Sequence, residues 1–142
     1  MKKGFLTLLV ILVLVIAGFS LAYASDLTVR KGGSLWASIE GTTIRINGSI
    51  VGEIENDGTV RKSGSIVGEV ESNGTIRKNG SLYAEIESSG TLRVNGSIAG
   101  EIESGGTIRK NGSIWGSVEP GCSSHDDKRK IAALLIFFSG DF

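Results

Sequence analysis

Aliphatic and polar residues alternate with a period of two along residues 27–119, and glycine interrupts the alternation at regular intervals. Such alternation is typical of half-buried β-strands. One 16-residue phrase occurs almost six times, so the region predicts a row of identical all-β units. The arginines that mark the phrase are Arg30, Arg45, Arg61, Arg77, Arg93 and Arg109.

The segment Thr59–Gly74, with the sequence TVRKSGSIVGEVESNG, shows how one unit is built. Each connector, KSG or SNG, has three residues and ends in glycine, and a three-residue hairpin loop commonly places glycine in the left-handed region. Around the first loop, this geometry predicts Val60 opposite Ile66 and Arg61 opposite Ser65. The chain is therefore expected to form tandem antiparallel hairpins.

The second loop places Val70 opposite Ile76 and Glu69 opposite Arg77, so that one face is aliphatic and the other is charged. The connector Gly41–Thr42 is shorter, and its leading glycine favours a two-residue type II′ turn. The same register along the chain predicts an inner aliphatic set: Val29, Leu35, Ile39, Ile44, Ile50, Ile54, Val60, Ile66, Val70, Ile76, Leu82, Ile86, Leu92, Ile98, Ile102, Ile108, Ile114 and Val118.

Acidic and basic residues are expected to pair on the outer face. Glu53, Glu69, Glu85 and Glu101 would lie opposite Arg61, Arg77, Arg93 and Arg109, respectively. Ser117 holds the equivalent place in the last unit, where no arginine follows, and Ser38 is the exception that would face Arg45. Exposed pairs of this kind contribute about 0.2 to 1 kcal/mol each, which suits a role in register and solubility.

A small residue stands at the middle of every long segment and is predicted to face inward. An inward glycine allows a strand to bend and two backbones to approach closely. Short hairpins are not stable singly, so the units are expected to close around a shared core as a ring or barrel. A parallel β-solenoid is the alternative, but it would stack like charges. The small residues are Ala37, Gly52, Gly68, Ala84, Gly100 and Gly116.

Repeats such as GTIRKNGSIWGSVE, at residues 106–119, resemble the units of β-flower proteins. In that bacterial family, short β-hairpin petals surround a pseudo-symmetric axis. The resemblance covers residues 27–119 and implies a fold without catalytic residues. A weaker resemblance is to the polymer-forming β-repeat proteins of the bactofilin type.

The N-terminal segment has the features of an export signal. Lys2 and Lys3 precede an apolar run over residues 5–21, and Ala22 and Ala24 form a small-x-small cleavage pattern. Residues 1–24 are therefore predicted to be a cleaved signal peptide or, alternatively, an uncleaved signal anchor that contacts the membrane. Either reading places the repeats, residues 25–119, in the periplasm, on the cell surface or outside the cell.

Residues 120–142 differ from the repeats. A polar linker and the basic triplet Lys128–Lys130 lead into the apolar run over residues 131–138, which is too short to span a bilayer. We expect this run to be a buried strand or a short helix that closes the repeat domain. Contact with a membrane surface is the alternative.

Composition and chemistry argue against several functions. The formal net charge is 0, with no clustered basic surface for nucleic acid. Cys122 and His125 have metal-ligand or nucleophile–base spacing, but they are the sole Cys and His of the chain. A free or intermolecularly paired cysteine is the simpler reading. The sequence therefore predicts no catalytic residue, no cofactor and no metal site.

Trp36, Tyr83 and Trp115 are the candidate ligand or interface residues, at a position predicted to face outward just before the small residue. They could stack on sugar rings, or they could pack between neighbouring units, with Trp36 and Trp115 meeting if the ring closes. The function predicted is a non-enzymatic, exported structural or interaction module of a bacterial-type cell envelope. The alternatives are a glycan-binding surface protein and a self-assembling scaffold of the bactofilin type. The sequence does not identify the partner, for which an envelope protein and a glycan are the candidates.

Overall fold

The computed structural model of the protein describes residues 26–142, so the predicted signal segment 1–24 lies outside the described residues. Twelve antiparallel strands form a closed barrel in which each strand pairs with its sequence neighbours and β1 pairs with β12. The strands are β1 (Leu27–Lys31), β2 (Ser34–Glu40), β3 (Thr43–Ile46), β4 (Ser49–Ile54), β5 (Thr59–Lys62), β6 (Ser65–Val70), β7 (Thr75–Lys78), β8 (Ser81–Ile86), β9 (Thr91–Val94), β10 (Ser97–Ile102), β11 (Thr107–Lys110) and β12 (Ser113–Glu119).

Antiparallel hairpins closed around one axis are therefore confirmed, and the parallel solenoid is wrong. Because every strand of the closed barrel has two neighbours, the sheet has no free edge. The hairpin turns form two rings, one at each end of the barrel. We call the turns that follow β2, β4, β6, β8 and β10 the base loops, and the turns inside the odd–even strand pairs the tip turns.

The base loops have the predicted geometry. The Glu71 amide donates to the Thr75 carbonyl at 2.8 Å, the Gly74 amide donates to Glu71 at 3.0 Å, and Gly74 has a φ of +98°. Val70 consequently faces Ile76. In the shorter loop, Gly41 has a φ of +60°, as a type II′ turn requires, and Ile39 faces Ile44.

The tip turns differ from the prediction, because they have two residues and not three. In the fourth hairpin, Lys78 pairs with Ser81, and both intervening residues have positive φ, +49° at Asn79 and +80° at Gly80. This is the signature of a type I′ turn, whose twist matches that of the strands. The tip turns are Gly32–Gly33, Asn47–Gly48, Ser63–Gly64, Asn79–Gly80, Asn95–Gly96 and Asn111–Gly112.

The shorter turn moves one predicted inner residue of each unit to the outside. Arg61 faces Ile66, not Ser65, and Val60 faces Gly68, so a β-bulge at Val67 restores the inward register. The prediction that every aliphatic residue of the inner set is buried is thus wrong at one position per hairpin. Leu35, Ile50, Ile66, Leu82, Ile98 and Ile114 are 59–70 % exposed.

The small residues at the strand midpoints pack inward, as predicted. Ala37 and Ala84 are buried. A Cβ atom on Gly68 would lie 2.1 Å from the Arg77 carbonyl oxygen and 2.5 Å from the Phe137 ring. Glycine is therefore required at this position, because a larger residue would collide with the neighbouring backbone and with the Phe137 ring inside the barrel.

A helix fills the barrel. Helix α1 (His125–Leu134) continues into a π-helical turn (Leu135–Ser139) that ends at Gly140 in the left-handed conformation. Ser124 caps the helix by accepting from the Asp127 amide at 3.0 Å. Residues 131–136 are all buried and complete the barrel core. The apolar tail is thus a helix, one of the two forms that the sequence left open.

The helix enters the barrel at the base loops and is held there by polar contacts. The Arg129 Nη1 donates to the Glu71 carbonyl at 3.1 Å, and His125 Nε2 lies 3.2 Å from the Ile86 carbonyl oxygen. Lys128 is 3 % exposed and donates to the Ser104 hydroxyl at 3.1 Å. In residues 26–142, every buried side-chain nitrogen or oxygen has a hydrogen-bond partner.

Candidate interaction surface

The tryptophans of the first and last hairpins meet where the barrel closes. The rings of Trp36 and Trp115 pack edge to face, with centroids 5.4 Å apart, and Trp115 packs in the same way on Phe142 at 5.7 Å. Tyr83 lies two hairpins from Trp115 and is covered by the Lys78 amine, 3.8 Å from the ring centroid. Two of the three candidate residues are therefore brought together, and the third is separate.

The predicted outward orientation of these aromatic residues is wrong, since all three are half-buried and pack against the core. The physical reason is the β-bulge, which turns the residue before each small residue toward the barrel interior. The equivalent residues Val51 and Val67 pack in the same way.

The C-terminal tail is anchored at the same mouth of the barrel. The Trp115 indole donates to Asp141 Oδ2 at 2.9 Å, and the Lys31 Nζ lies 2.6 Å from the same oxygen. These two donors, Lys31 first, hold the pKa of Asp141 below its usual value. Trp115 and Lys31 thus have a structural role, because they hold the C-terminal tail through Asp141. We call this contact the clasp.

Cys122 and His125 do not form a reactive pair. Cys122 is fully buried, and its burial, with the nearby Asp127 charge, raises the pKa of the thiol to about 12. The thiol is therefore protonated at neutral pH and is a poor nucleophile. The described residues contain no group of three or more His, Cys, Asp or Glu side chains placed to hold a metal ion.

The outer wall carries a ring of ion pairs. Each arginine of the repeat bonds through Nε to a glutamate that lies at the end of the neighbouring even-numbered strand or one residue after it, at 2.8–3.3 Å. The directly opposite glutamates predicted from the sequence are confirmed in register, and two of them, Glu53 and Glu69, lie 3.8 and 3.9 Å from their arginines. The pairs are Arg30–Glu119, Arg45–Glu40, Arg61–Glu55, Arg77–Glu71, Arg93–Glu87 and Arg109–Glu103.

Closure of the barrel corrects one inference about this ring. Ser117 was expected to lack an opposing arginine, but Arg30 faces it across the β1–β12 pair. Arg30 then pairs with Glu119, two residues further on. The diagonal glutamate is therefore present in all six units, whereas the opposite one is dispensable.

The most unusual surface is the ring of six exposed aliphatic residues, which we call the aliphatic girdle: Leu35, Ile50, Ile66, Leu82, Ile98 and Ile114. Each follows a tip turn by two residues, so all six lie at one level of the barrel wall. Sequence reasoning missed the girdle by assigning these residues to the core. The signal that identifies it is the Asn-Gly pair, which favours a two-residue turn.

Shallow grooves connect the girdle to the charged wall. Four of them, with volumes of 180–450 Å³, lie between successive hairpins. The groove beside the third hairpin is lined by Ile66 and Glu69 from one hairpin and by Arg77 and Asn79 from the next. The grooves repeat one combination of an apolar side, an acid and a base, which suits binding better than a reaction that needs asymmetric groups.

No known protein family, no curated protein and no solved structure matches the chain. The resemblance to β-flower and bactofilin-type proteins therefore stays a prediction. Within residues 26–142, no helix combines the length and the apolar character needed to cross a bilayer.

Proposed function

We propose that the protein is a non-catalytic structural or interaction module, exported to a bacterial-type cell envelope, that binds its partner through the aliphatic girdle. The observation that carries this proposal is the exposure of one large aliphatic side chain per hairpin, between 59 and 70 %, at a single level of a closed barrel. Six such side chains at one level concentrate exposed apolar surface in a single band of the wall, and concentrated exposed apolar surface marks interaction sites.

The fold itself does not need the girdle. The core is complete without it, because the inward strand residues and the helix bury one another. Ile66, for example, faces Arg61 on the outer wall and not the interior. A polar residue at this position would improve solubility at no cost in core packing, yet all six units carry Leu or Ile.

The state of the reactive residues supports a non-catalytic role. The buried Cys122 thiol, with its raised pKa, is protonated at neutral pH, and the His125 ring is engaged with a backbone carbonyl. The glycan-binding alternative has weaker support, because Trp36 and Trp115 pack on each other and the Tyr83 ring is covered by Lys78. Sugar stacking requires free aromatic faces.

Site-specific photo-crosslinking in the producing cell tests the proposal. A photoreactive phenylalanine analogue in place of Ile66 or Ile98 should give discrete higher-mass adducts in the envelope or secreted fraction. The matched control carries the analogue in place of Asn56, which is also exposed but lies in a base loop at the other end of the barrel. That variant should give none.

Cys122→Ala and His125→Ala should leave the adducts unchanged in amount and mass. The proposal is wrong if no girdle position crosslinks, if Asn56 crosslinks to the same species, or if the protein remains in the cytosolic fraction. An enzymatic activity lost on Cys122→Ala would contradict its non-catalytic part.

A further inference from the structure

Four lysines surround the barrel axis at the tip end. Each is the last residue of an odd-numbered strand and pairs with an inward-facing glycine, as Lys78 does with Gly68. Because residues that pair across two strands point to the same face of a sheet, the lysine side chains also point toward the axis. We call these four residues the basic mouth: Lys31, Lys62, Lys78 and Lys110.

The C-terminal segment closes the basic mouth from the inside. Its three phenylalanine rings are partly exposed, and the centroid of each lies 5.5–5.9 Å from a lysine amine. The pairs are Phe137 with Lys78, Phe138 with Lys62 and Phe142 with Lys110. Helix α1 fills the barrel behind these rings. A ligand of the mouth therefore has to lie across an aromatic floor and cannot enter the barrel.

The positive charge of the mouth is only partly compensated. In the described part of the chain, the mouth contacts one side-chain carboxylate, Asp141, which lies 2.6 Å from the Lys31 amine. The other three lysines have no carboxylate within 4 Å among residues 26–142, and the tip turns contribute only Gly, Asn and Ser. Since the whole chain has a formal net charge of 0, an excess of acid elsewhere matches this excess of base. The tip end is thus a basic face.

We propose that the basic mouth docks on the surface of a lipid bilayer that contains anionic lipids, with the barrel axis along the membrane normal. The lysine amines contact the headgroup phosphates, and the aromatic floor faces the headgroup layer. The aliphatic girdle lies two residues from the tip turns, about 7 Å along the wall. It stays above the headgroups and is available to a protein partner. The inference therefore goes beyond the proposed function and rests on it only for export.

The layout of the mouth favours a bilayer over other anionic ligands. Its amines come from β1, β5, β7 and β11, which are spread around the barrel, so full contact requires negative charge over the whole area of the mouth. An anionic bilayer presents such a surface, and each lysine near it contributes about 1 kcal/mol. Lysine beside aromatic side chains is also a composition that favours the membrane interface. A small anion would need an enclosed pocket, whereas the tail and the helix fill the mouth.

Co-sedimentation of the exported protein with lipid vesicles gives the first test. The protein should bind vesicles of phosphatidylcholine and phosphatidylglycerol, should not bind phosphatidylcholine alone, and should be released from the anionic vesicles by high salt. The double variant Lys62→Gln, Lys78→Gln should weaken binding by about tenfold or more, since two lysine contacts are lost. Lys62→Arg, Lys78→Arg keeps the charge and should bind as the unchanged protein does.

The double variant Arg45→Gln, Arg61→Gln is the matched control. It removes the same charge from the outer wall, where each arginine bonds a glutamate. The vesicle affinity of this variant should stay within about twofold of the unchanged protein. Circular dichroism melting of each variant verifies that the barrel is folded.

Tryptophan fluorescence tests the orientation. The chain has two tryptophans, Trp36 and Trp115, which pack together beside the mouth, with the Lys31 amine 5.4 Å from the Trp115 ring. Anionic vesicles doped with a lipid that carries a nitroxide quencher on its headgroup should therefore reduce the emission. Docking through the base loops would leave the emission unchanged, because the length of the strands separates the two ends.

Several results would overturn the inference. They are a protein that does not bind anionic vesicles, an equal loss of affinity in the two double glutamine variants, and binding without quenching. Release of the protein from the vesicles by polyglutamate at a matched concentration of charge would show that the mouth prefers an acidic polymer, and would refute the bilayer as its ligand.

The in-cell crosslinks separate this failure from that of the proposed function. Protein adducts at Ile66 without vesicle binding would refute the docking and keep the interaction module. Vesicle binding without adducts would keep the docking and refute the role of the girdle. A protein that remains in the cytosolic fraction would refute the export on which both depend.

Discussion

The two ends of the barrel use the same repeat in opposite ways. At the base, four of the five loops end in a glycine whose missing side chain makes room for a backbone carbonyl, as Gly74 does for Ile86. At the tips, glycines such as Gly80 have open space around them. The base loops are therefore packed and hold the helix through Lys128 and Arg129, whereas the tip turns are surrounded by open space and lie beside the aliphatic girdle.

This difference indicates that one half of each 16-residue unit serves folding, whereas the surface proposed to bind a partner lies in the other half. The base half supplies the register, the buried strand residues and the attachment of the helix. The tip half supplies an exposed aliphatic side chain that the core does not use. Substitutions at equivalent positions in the two halves should consequently differ in their effect on stability.

The largest difference is expected between a core aliphatic and a girdle aliphatic. Ile76→Ala removes a fully buried side chain from the barrel interior, and we expect the free energy of unfolding to fall by about 2 to 5 kcal/mol. Ile66→Ala truncates a side chain that is 59 % exposed and should change it by less than about 0.5 kcal/mol. Denaturant unfolding of the two variants measures both values.

Both residues belong to the aliphatic set that a three-residue tip loop would bury. Equal losses of several kcal/mol in both variants would mean that Ile66 is in the core. The two-residue tip turns and the girdle would then be incorrect.

A second pair of variants compares the glycines of one hairpin. Gly74→Ala, at a base loop, would bring a Cβ atom to 2.1 Å from the Ile86 carbonyl oxygen at a φ of +98°. In Gly80→Ala, at the tip, only the positive φ is unfavourable for the new side chain. We expect the free energy of unfolding of this variant to fall by about 1 to 2 kcal/mol. The steric conflict at Gly74 should raise its loss to about 3 kcal/mol or more.

Thermal unfolding of the two glycine variants tests this order. Both should lower the melting temperature, with the base variant clearly the less stable. A tip variant as unstable as the base variant would show that the space around Gly80 is closed and that the ends are packed alike.

A third prediction concerns the entry of the helix at the base. Ser124→Ala removes the side chain that accepts from the Asp127 amide and should cost about 1 kcal/mol, as the loss of a helix N-cap does. Ser123→Ala changes a neighbouring exposed serine without a cap role and serves as the control. Hydrogen exchange of the first helical turn should become faster in the first variant alone, and equal rates would exclude the cap.

Much of the base could be predicted from the sequence because the length of its loops and their final glycine determine how the flanking strands pair. Three-residue loops that end in glycine place Val70 opposite Ile76 and Glu69 opposite Arg77, and the structure has both pairs. The tip could not be derived from alternation alone. A loop that is one residue shorter exchanges the inward and outward positions at the start of the following strand. The β-bulge at Val67 then restores the predicted orientation in the second half of that strand.

The interior of the barrel and the candidate surface were less accessible to sequence reasoning. The apolar run at residues 131–138 shows that something is buried, but an eight-residue run has no period that separates a strand from a helix. The pairing of Trp36 with Trp115 depends on closure, which no local pattern contains. The exposure of the girdle residues follows from the register of the two-residue tip turns. The prediction of three-residue tip loops therefore placed these residues in the core.

The smallest effect on stability is expected at the tips, where Lys31 and Trp115 hold the tail through Asp141. Measuring stability as a function of pH tests this contact. Lys31 and Trp115 hold the pKa of Asp141 below its usual value of 3.8, so the clasp stabilises the fold above that pH and the contribution disappears as the pH falls through the lowered pKa. Asp141→Asn should therefore lower the free energy of unfolding by less than about 1 kcal/mol at pH 7, since the pair is partly exposed, and this loss should shrink as the pH falls below 3.8. Lys31→Met should produce the same loss, and the double variant should lose no more than either single one, because both changes remove one interaction. A loss that is independent of pH, or additive in the double variant, would show that Asp141 acts without Lys31 and that the tips hold the tail through the aromatic contact of Trp115 with Phe142 alone.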